Sequence, residues 1–447
     1  MQLLSRAKGW ASRISARAIL AATWLLLLAY AYPGYMNWDA GEQLFEARSG
    51  KFGDWHPPVM ALYWGVLDLF VRGPLLMLVL QTMLFIAGLY AIISLWLAPR
   101  AAAITTALLV LFPPIMTTIA VVWKDSQMAA FLLVGLVLAT REGRARRAVG
   151  LVLMLLAVAV RDNAILAIPP LALLIAHAWR VDRFWKRLAI AIGICVGLLA
   201  GATAANRAIT FYHQHPWYRS VAIHDIAGTL CRERPMTDDE IRRELPGVEL
   251  LVKKDLQANF CKQYDPRTYF ALVFGGNDIF LSAPGKADRL ARRAAWQRIV
   301  TKHTGAWLAH RWAVMKEVLG LSPNAIWEPV CQTFQPNLDH IPELQNDTSA
   351  PSWFQRKLGQ AFVWLGGTLL FRPWVYALLA LILLPYALYV REWWPAALLA
   401  SGLCYEAGYF PAASGPDYRY SHWMVLCTCI AIVAIFIRRL RAARSSA

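Results

Sequence analysis

Residues 74–97 read PLLMLVLQTMLFIAGLYAIISLWL, a run without a single charged side chain. As a helix it would extend roughly 36 Å at about 1.5 Å per residue, more than the ~30 Å hydrocarbon core of a bilayer. Working outward, comparable apolar runs lie near residues 18–35, 101–121, 126–140, 148–160, 163–179, 188–206, 373–390, 393–411 and 422–437. The 447 residues are 58% hydrophobic and only 16% charged, whereas soluble proteins carry about a quarter charged residues. This composition excludes an ordinary soluble domain. The sequence predicts an all-α polytopic membrane protein with about ten transmembrane helices.

A formal charge of +17 would suggest nucleic-acid binding in a soluble protein. Here the basic residues cluster at alternate ends of the apolar runs. One face collects Arg6, Lys8, Arg13, Arg17, Arg100, Arg141, Arg144, Arg146, Arg147, Arg180, Arg183, Lys186, Arg187, Arg391, Arg438, Arg439, Arg441 and Arg444. The short loops of the other face hold only Arg48, Lys51, Arg72, Lys124, Arg161 and Arg419. Cytoplasmic loops carry the Lys/Arg excess, so both termini are expected in the cytoplasm and no nucleic-acid partner is needed. The first run has a basic flank like a signal peptide but no small-x-small cleavage site before Trp38, and reads as an uncleaved anchor.

Two apolar stretches, 57–71 and 355–371, are too short or too broken to count. Making 57–71 a span would invert every later loop, so both read as interfacial or re-entrant helices; the count becomes twelve if both cross. One polar segment, 207–372, separates an N-terminal membrane module (1–206, with a first outer loop at 36–73) from C-terminal helices (373–447). It lies outside by the same charge rule and includes a helical stretch from Pro284 to Leu321. Its cysteines, Cys231, Cys261 and Cys331, have access to an oxidising compartment, and the pair expected to form a disulfide is Cys231 with Cys261. Cys195, Cys404, Cys427 and Cys429 lie in apolar runs and read as packing residues. No cysteine or histidine spacing suggests zinc.

The chemistry-bearing residues gather at the outer ends of the runs. The first run is followed by Asn37-Trp38-Asp39-Ala40-Gly41-Glu42-Gln43 and then Asp54-Trp55-His56-Pro57-Pro58; the third ends at Trp123-Lys124-Asp125. A carboxylate there can take a proton from an incoming hydroxyl while Lys124 holds an anionic leaving group. Arg161 and, within Pro416-Asp417-Tyr418-Arg419-Tyr420, Arg419 offer planar charged forks for phosphate oxygens at the same depth. Structural roles fit the same residues. Asp39-x-x-Glu42 has the form of a capping box, Asp125 can cap the fourth span, and Lys124 and Arg161 can snorkel to headgroups. His56 before two prolines suits a turn. Glu406 inside the ninth span must face a protein interior or a water-filled cavity, and either function or simple neutralisation accounts for it.

Asp39 after the first span, the His56-Pro57-Pro58 element leading an apolar half-helix, Arg72 before the next span and Asp125 closing the third resemble the GT-C superfamily of integral-membrane glycosyltransferases. The arrangement is most similar to bacterial relatives of protein O-mannosyltransferases and aminoarabinose transferases. It covers the first seven spans and reaches the last three through Tyr418-Arg419-Tyr420. The resemblance implies a bacterial inner-membrane enzyme with a periplasmic active site and a polyprenyl-phosphate-linked sugar as donor. The acceptor would be an envelope glycan, lipid or protein, and Asp39 the base of an inverting displacement. Asp125 would orient a substrate, Lys124, Arg161 and Arg419 would bind the donor phosphate, and Glu42, His56 and Tyr420 would position substrate. No cofactor is required; a divalent metal is left open but in doubt, since some relatives carry an acidic pair where this chain has Lys124-Asp125.

A second class, a transporter or flippase of a lipid-linked or anionic solute, also fits a polytopic chain. Many transporters carry internal repeats and midplane polar residues, and this chain shows neither apart from Glu406. A third reading is a non-catalytic envelope assembly protein that keeps the fold.

Overall fold

The computed structural model describes residues 14–245, 255–274, 286–323 and 351–445. Cys331, Arg6, Lys8 and Arg13 lie outside the described residues. The fold is all-α, and the described residues contain no β-strand.

The N-terminal part comprises α1 (Ala16–Ala31), α2 (Trp38–Ser49), α3 (Val59–Asp68), α4 (Leu75–Ile93), α5 (Pro99–Val110), α6 (Pro113–Ile119), α7 (Lys124–Thr140), α8 (Arg144–Val160), α9 (Ile168–Ala178) and α10 (Phe184–Ile209). The polar segment contributes α11 (Pro216–Arg219), α12 (Val221–Leu230), α13 (Asp238–Glu244), α14 (Leu256–Gln263), α15 (Phe270–Phe274), α16 (Lys286–Lys302) and α17 (Thr304–Val318). The C-terminal part adds α18 (Trp353–Gly366), α19 (Pro373–Tyr389), α20 (Trp393–Ala407), α21 (Tyr409–Ala412) and α22 (His422–Ser445).

Among the described residues, Leu75–Ile93, Phe184–Ile209 and Tyr418–Ala443 are each long and apolar enough to cross a membrane. The pair α5 and α6 makes a fourth candidate, bent by 76°. These helices are consistent with membrane association. Helices stand at all ten expected places, yet the other six fall short of this length-and-apolarity standard. Proline accounts for two of the differences. The expected run 101–121 breaks at Phe112 because Pro113 occupies the first position of α6, where its missing N–H costs nothing and its ring disfavours helical geometry in the residue before it. The run 163–179 opens as a 3₁₀ turn, Asp162–Ala167, ahead of Pro169 and Pro170 in the first turn of α9. The stretch from Pro284 to Leu321 proves to be two helices that meet at His303.

The apolar bundle packs α7 against α8 and α4, α9 on α10, and α20 on α22. In lipid, close approach rather than water exclusion drives such contacts, so small residues mark them. A Cβ added to Gly135 of α7 would lie 2.9 Å from the Gly150 carbonyl oxygen of α8, which leaves no room for a larger side chain. The polar segment has its own apolar core, including Ile226, Leu230, Phe260 and Ile299. Cys231, at the end of α12, is disulfide-bonded to Cys261 of α14. Beside that core, fully buried Asp225 accepts from Trp296 Nε1 (2.6 Å) and pairs with His310 Nε2 (2.9 Å) and Arg311 Nη2 (2.6 Å). Arg311 also donates to the Ala413 carbonyl at 2.6 Å, joining the polar segment to the loop before α22.

Candidate active site

Local structure first places the acidic loop. Asn37 caps α2, its side-chain oxygen accepting the Ala40 N–H at 3.2 Å. Asp39 is therefore not the cap that the Asp-x-x-Glu pattern suggested; it sits in the first turn with its carboxylate turned to other elements. The helix ends at Gly50, whose φ of +66° suits a residue without Cβ. Val122 N–H donates to the Tyr35 carbonyl at 2.9 Å, which ties this loop to the start of α7. That start carries Lys124 and Asp125; the N-cap is Trp123, so Asp125 is not a cap either.

These elements meet the ends of α8 and α20 and the start of α22. Asp39 Oδ2 accepts from Arg419 Nη2 at 2.7 Å, and its Oδ1 lies 3.8 Å from His56 Nε2. His56 Nδ1 is 2.7 Å from Lys124 Nζ. Asp125, fully buried, has Oδ1 3.2 Å from Arg161 Nε and Oδ2 3.9 Å from Arg419 Nε. Asp417 holds Arg419 from the opposite side, Oδ2 to Nε at 2.6 Å. Aromatic faces complete the cage: the Arg419 guanidinium stands 4.9 Å from the Trp123 ring centroid, and Tyr420 receives Arg161 at 5.2 Å and Arg419 at 5.6 Å. Arg161 Nη2 donates to Tyr409 Oη (2.9 Å), Tyr409 to Tyr405 (2.9 Å), and Tyr405 towards Asp125 (3.4 Å).

Of the residues singled out from sequence, Asp39, His56, Lys124, Asp125, Arg161, Arg419 and Tyr420 share this one cluster. Glu42, one turn along α2, is half-buried, and its charge acts on Glu46 and Tyr212. Cys231 and Cys261 belong to the polar segment. Sequence reasoning assigned no role to Asp417, Tyr405 or Tyr409. Asp417 lies two residues before Arg419, and the two tyrosines flank Glu406 at helical spacing, the only signals that could have found them. Glu406 itself accepts from Ser421 Oγ at 2.8 Å in the bundle interior.

Electrostatics set the resting state. Burial would raise the Asp39 pKa, but Arg419, then His56 and Lys124, outweigh it and hold the carboxyl well below the usual range. Burial and the Lys124 ammonium drive His56 down to about 3, so the imidazole is neutral. An ammonium only donates; Nδ1 therefore accepts from Lys124 and the ring proton sits on Nε2, facing Asp39. Asp417, by contrast, is pushed up to about 6 by burial despite Arg419. Three carboxylates face three cations, and Arg419 Nη1 is buried with no hydrogen-bond partner. Among the described residues, no group of three or more His, Cys, Asp or Glu is arranged to hold a metal ion. The arrangement can accept an anion at Arg419 and a proton at Asp39, side by side.

Comparison with protein-family models, with curated proteins and with solved structures finds no match.

Proposed function

We propose that this chain is a GT-C-type glycosyltransferase that moves a sugar from a polyprenyl-phosphate-linked donor to a cell-envelope acceptor at the periplasmic face of the bacterial inner membrane. The single observation that carries this reading is Asp39: a carboxylate 22% exposed and bonded to an arginine that has a spare buried donor. In the topology proposed with it, all ten helical places span the membrane, α3 and α18 lie at the periplasmic interface, and both termini are cytoplasmic.

Resting Asp39 is a weak base because Arg419 binds it. A donor phosphate that draws the Arg419 guanidinium to itself would loosen that bond and raise the proton affinity of Asp39, coupling donor binding to base activation. Asp39 then takes the acceptor hydroxyl proton as that oxygen attacks the anomeric carbon from the face opposite the phosphate. The bond from the anomeric carbon to the phosphate oxygen breaks, and polyprenyl phosphate leaves as an anion stabilised by Arg419, Lys124 and Arg161. Such a leaving group needs positive charge rather than a general acid. His56, donating through Nε2, would steady the carboxylate while Lys124 fixes its tautomer.

The test is release of polyprenyl phosphate from a radiolabelled polyprenyl-phosphate sugar by the purified protein in detergent. Acceptor-dependent release supports the reading; a donor that is bound and never turned over, with envelope extract as acceptor, sinks it.

A further inference from the structure

Asp54-Trp55-His56 is a run of three consecutive residues, of which the cluster above uses only His56. The other two build something next to it. Asp54 Oδ1 accepts the backbone N–H groups of Gln214 (2.5 Å) and His215 (3.1 Å), and its Oδ2 pairs with His213 Nδ1 at 3.1 Å. One carboxylate thus holds a turn in which His215 takes a φ of +56°, a left-handed conformation that L side chains rarely adopt. Phe211 N–H adds a bond to the Phe52 carbonyl at 2.8 Å. The turn starts α11, and α11 ends at Arg219, whose guanidinium carbon lies 5.8 Å from the Trp55 ring centroid.

Arg219 is half-buried and, among the described residues, has no carboxylate partner. This sets it apart from Arg161, Arg311 and Arg419, each held by an aspartate. Its position relative to the site is given by Tyr269, half-buried in the polar segment. The Tyr269 phenol is raised above its ordinary range by burial, then by the charges of Tyr420 and Asp39, while Arg219 acts on it in the opposite direction. Tyr269 is thus near enough to Asp39 and Arg219 to feel both charges, and Trp55 directly precedes His56, which lies 3.8 Å from Asp39. A second arginine, Arg289 of α16, is close enough to the His215 ring to depress its protonation, after burial. A guanidinium held over an indole is pre-oriented, and with no carboxylate bound to it among the described residues it offers its N–H groups to an oxyanion.

We propose that Arg219, facing the ring of Trp55, is an anion-recognition site next to the Asp39–His56 pair that binds a phosphate or carboxylate group of the acceptor. The assignment to the acceptor rests on the glycosyltransferase reading. In this division Arg419, Lys124 and Arg161 serve the donor phosphate, and Arg219, reached through Trp55 next to His56, serves the incoming molecule. An acceptor with a hydroxyl near an anionic group would place that hydroxyl at Asp39 when the anion sits on Arg219.

Phenylglyoxal labelling of the full-length protein in detergent, mapped by peptide mass spectrometry, tests the site residue by residue. The exposed Arg234, remote in the polar segment, serves as internal reference. N-acetylglucosamine 1-phosphate should slow Arg219 labelling several-fold while neutral N-acetylglucosamine leaves it unchanged. Protection by glucuronate in place of the phosphate sugar would support the site and assign the anion as a carboxylate. Equal labelling of Arg219 with and without both anionic probes, or equal protection by the neutral sugar, would overturn the proposal. In the transfer assay, Arg219→Gln should raise the acceptor KM roughly tenfold, about the worth of one charge-assisted hydrogen bond, with kcat little changed. An unchanged KM would remove the acceptor role. Absence of transfer by the unmodified protein would count against the enzyme reading alone, since the labelling result does not depend on turnover.

Discussion

At the scale of single residues, the Arg419–Asp39 pair is the hinge of the account. Arg419 is paired with Asp417 and Asp39 and flanked by Trp123 and Tyr420 at rest, while its Nη1 has no hydrogen-bond partner. Lys124, whose ammonium bonds neutral His56, should matter to both binding and chemistry. In the proposed mechanism the ammonium faces the phosphate in ground and transition states alike, so Lys124→Ala is expected to raise the donor KM and lower kcat together. A change in KM alone, measured by initial rates over a donor series, would place Lys124 in binding only. A separate prediction concerns Glu46. It accepts from Gly53 N–H (2.9 Å) and Tyr212 Oη (3.3 Å), and burial raises its pKa from 4.5 to about 7. The folded state holds this proton more tightly than the unfolded chain, so stability is greatest below about pH 4.5 and declines as pH rises towards 7. Thermal melts should show that decline between pH 5 and 7.5, and Glu46→Gln should flatten it. Much of the cluster was legible because its residues sit at the ends of apolar runs, where charge is otherwise costly. Tyr405 and Tyr409 were not, since they reach Asp125 and Arg161 through the packing of α20 and α21 against elements hundreds of residues away in sequence, and Asp417 gains its part only because its neighbour Arg419 is drawn into that packing. The cap at Asn37 was hidden because Asn37 and Asp39 are equally good N-caps, and the Asp39 carboxylate is taken up by Arg419, distant in sequence.

At the scale of elements, the bond from Arg311 to the Ala413 carbonyl joins the polar segment to the loop that presents Asp417 and Arg419. Asp225, itself fully buried, orients Arg311. Arg311→Met should leave the Asp225 carboxylate with one charge partner fewer in a dry interior, a change that typically costs about 3–5 kcal/mol. Lower thermal stability and faster limited proteolysis of the polar segment are the expected readouts, and the less severe Arg311→Lys should recover part of the loss. Reduction of the Cys231–Cys261 bond, which closes 30 residues, should destabilise the same segment by roughly 3 to 4 kcal/mol in the chain-entropy model. Chemical denaturation with and without reductant measures it. Helix positions could be read from hydropathy, because a run of apolar residues has no other stable conformation in lipid. Their breaks could not. Pro113-Pro114 and Pro169-Pro170 were absorbed into continuous spans although proline favours the first turn of a helix.

At the scale of the whole molecule, the distribution of Lys and Arg makes a topological prediction. A cysteine introduced at Ser49, the last residue of α2, should react with an impermeant maleimide in intact spheroplasts, and one at Ala145, among the arginines at the start of α8, only after permeabilisation. Labelling at 145 in intact spheroplasts would reverse the orientation and move the site to the cytoplasmic face. All parts of the account converge on Asp39, and Asp39→Asn is the substitution that isolates its proton. Asn37 remains the cap, and an asparagine at 39 still offers an oxygen to Arg419, so insertion and folding should be normal. The amide cannot take a proton from the acceptor, and positioned proton transfer contributes about 10²- to 10⁴-fold. The decisive measurement is the rate of sugar transfer from a labelled polyprenyl-phosphate donor by wild type and Asp39→Asn at matched, correctly inserted protein. The account predicts a loss of about 10²-fold or more with donor binding retained; near-normal transfer by Asp39→Asn would contradict it and shift the search for the base to Asp125.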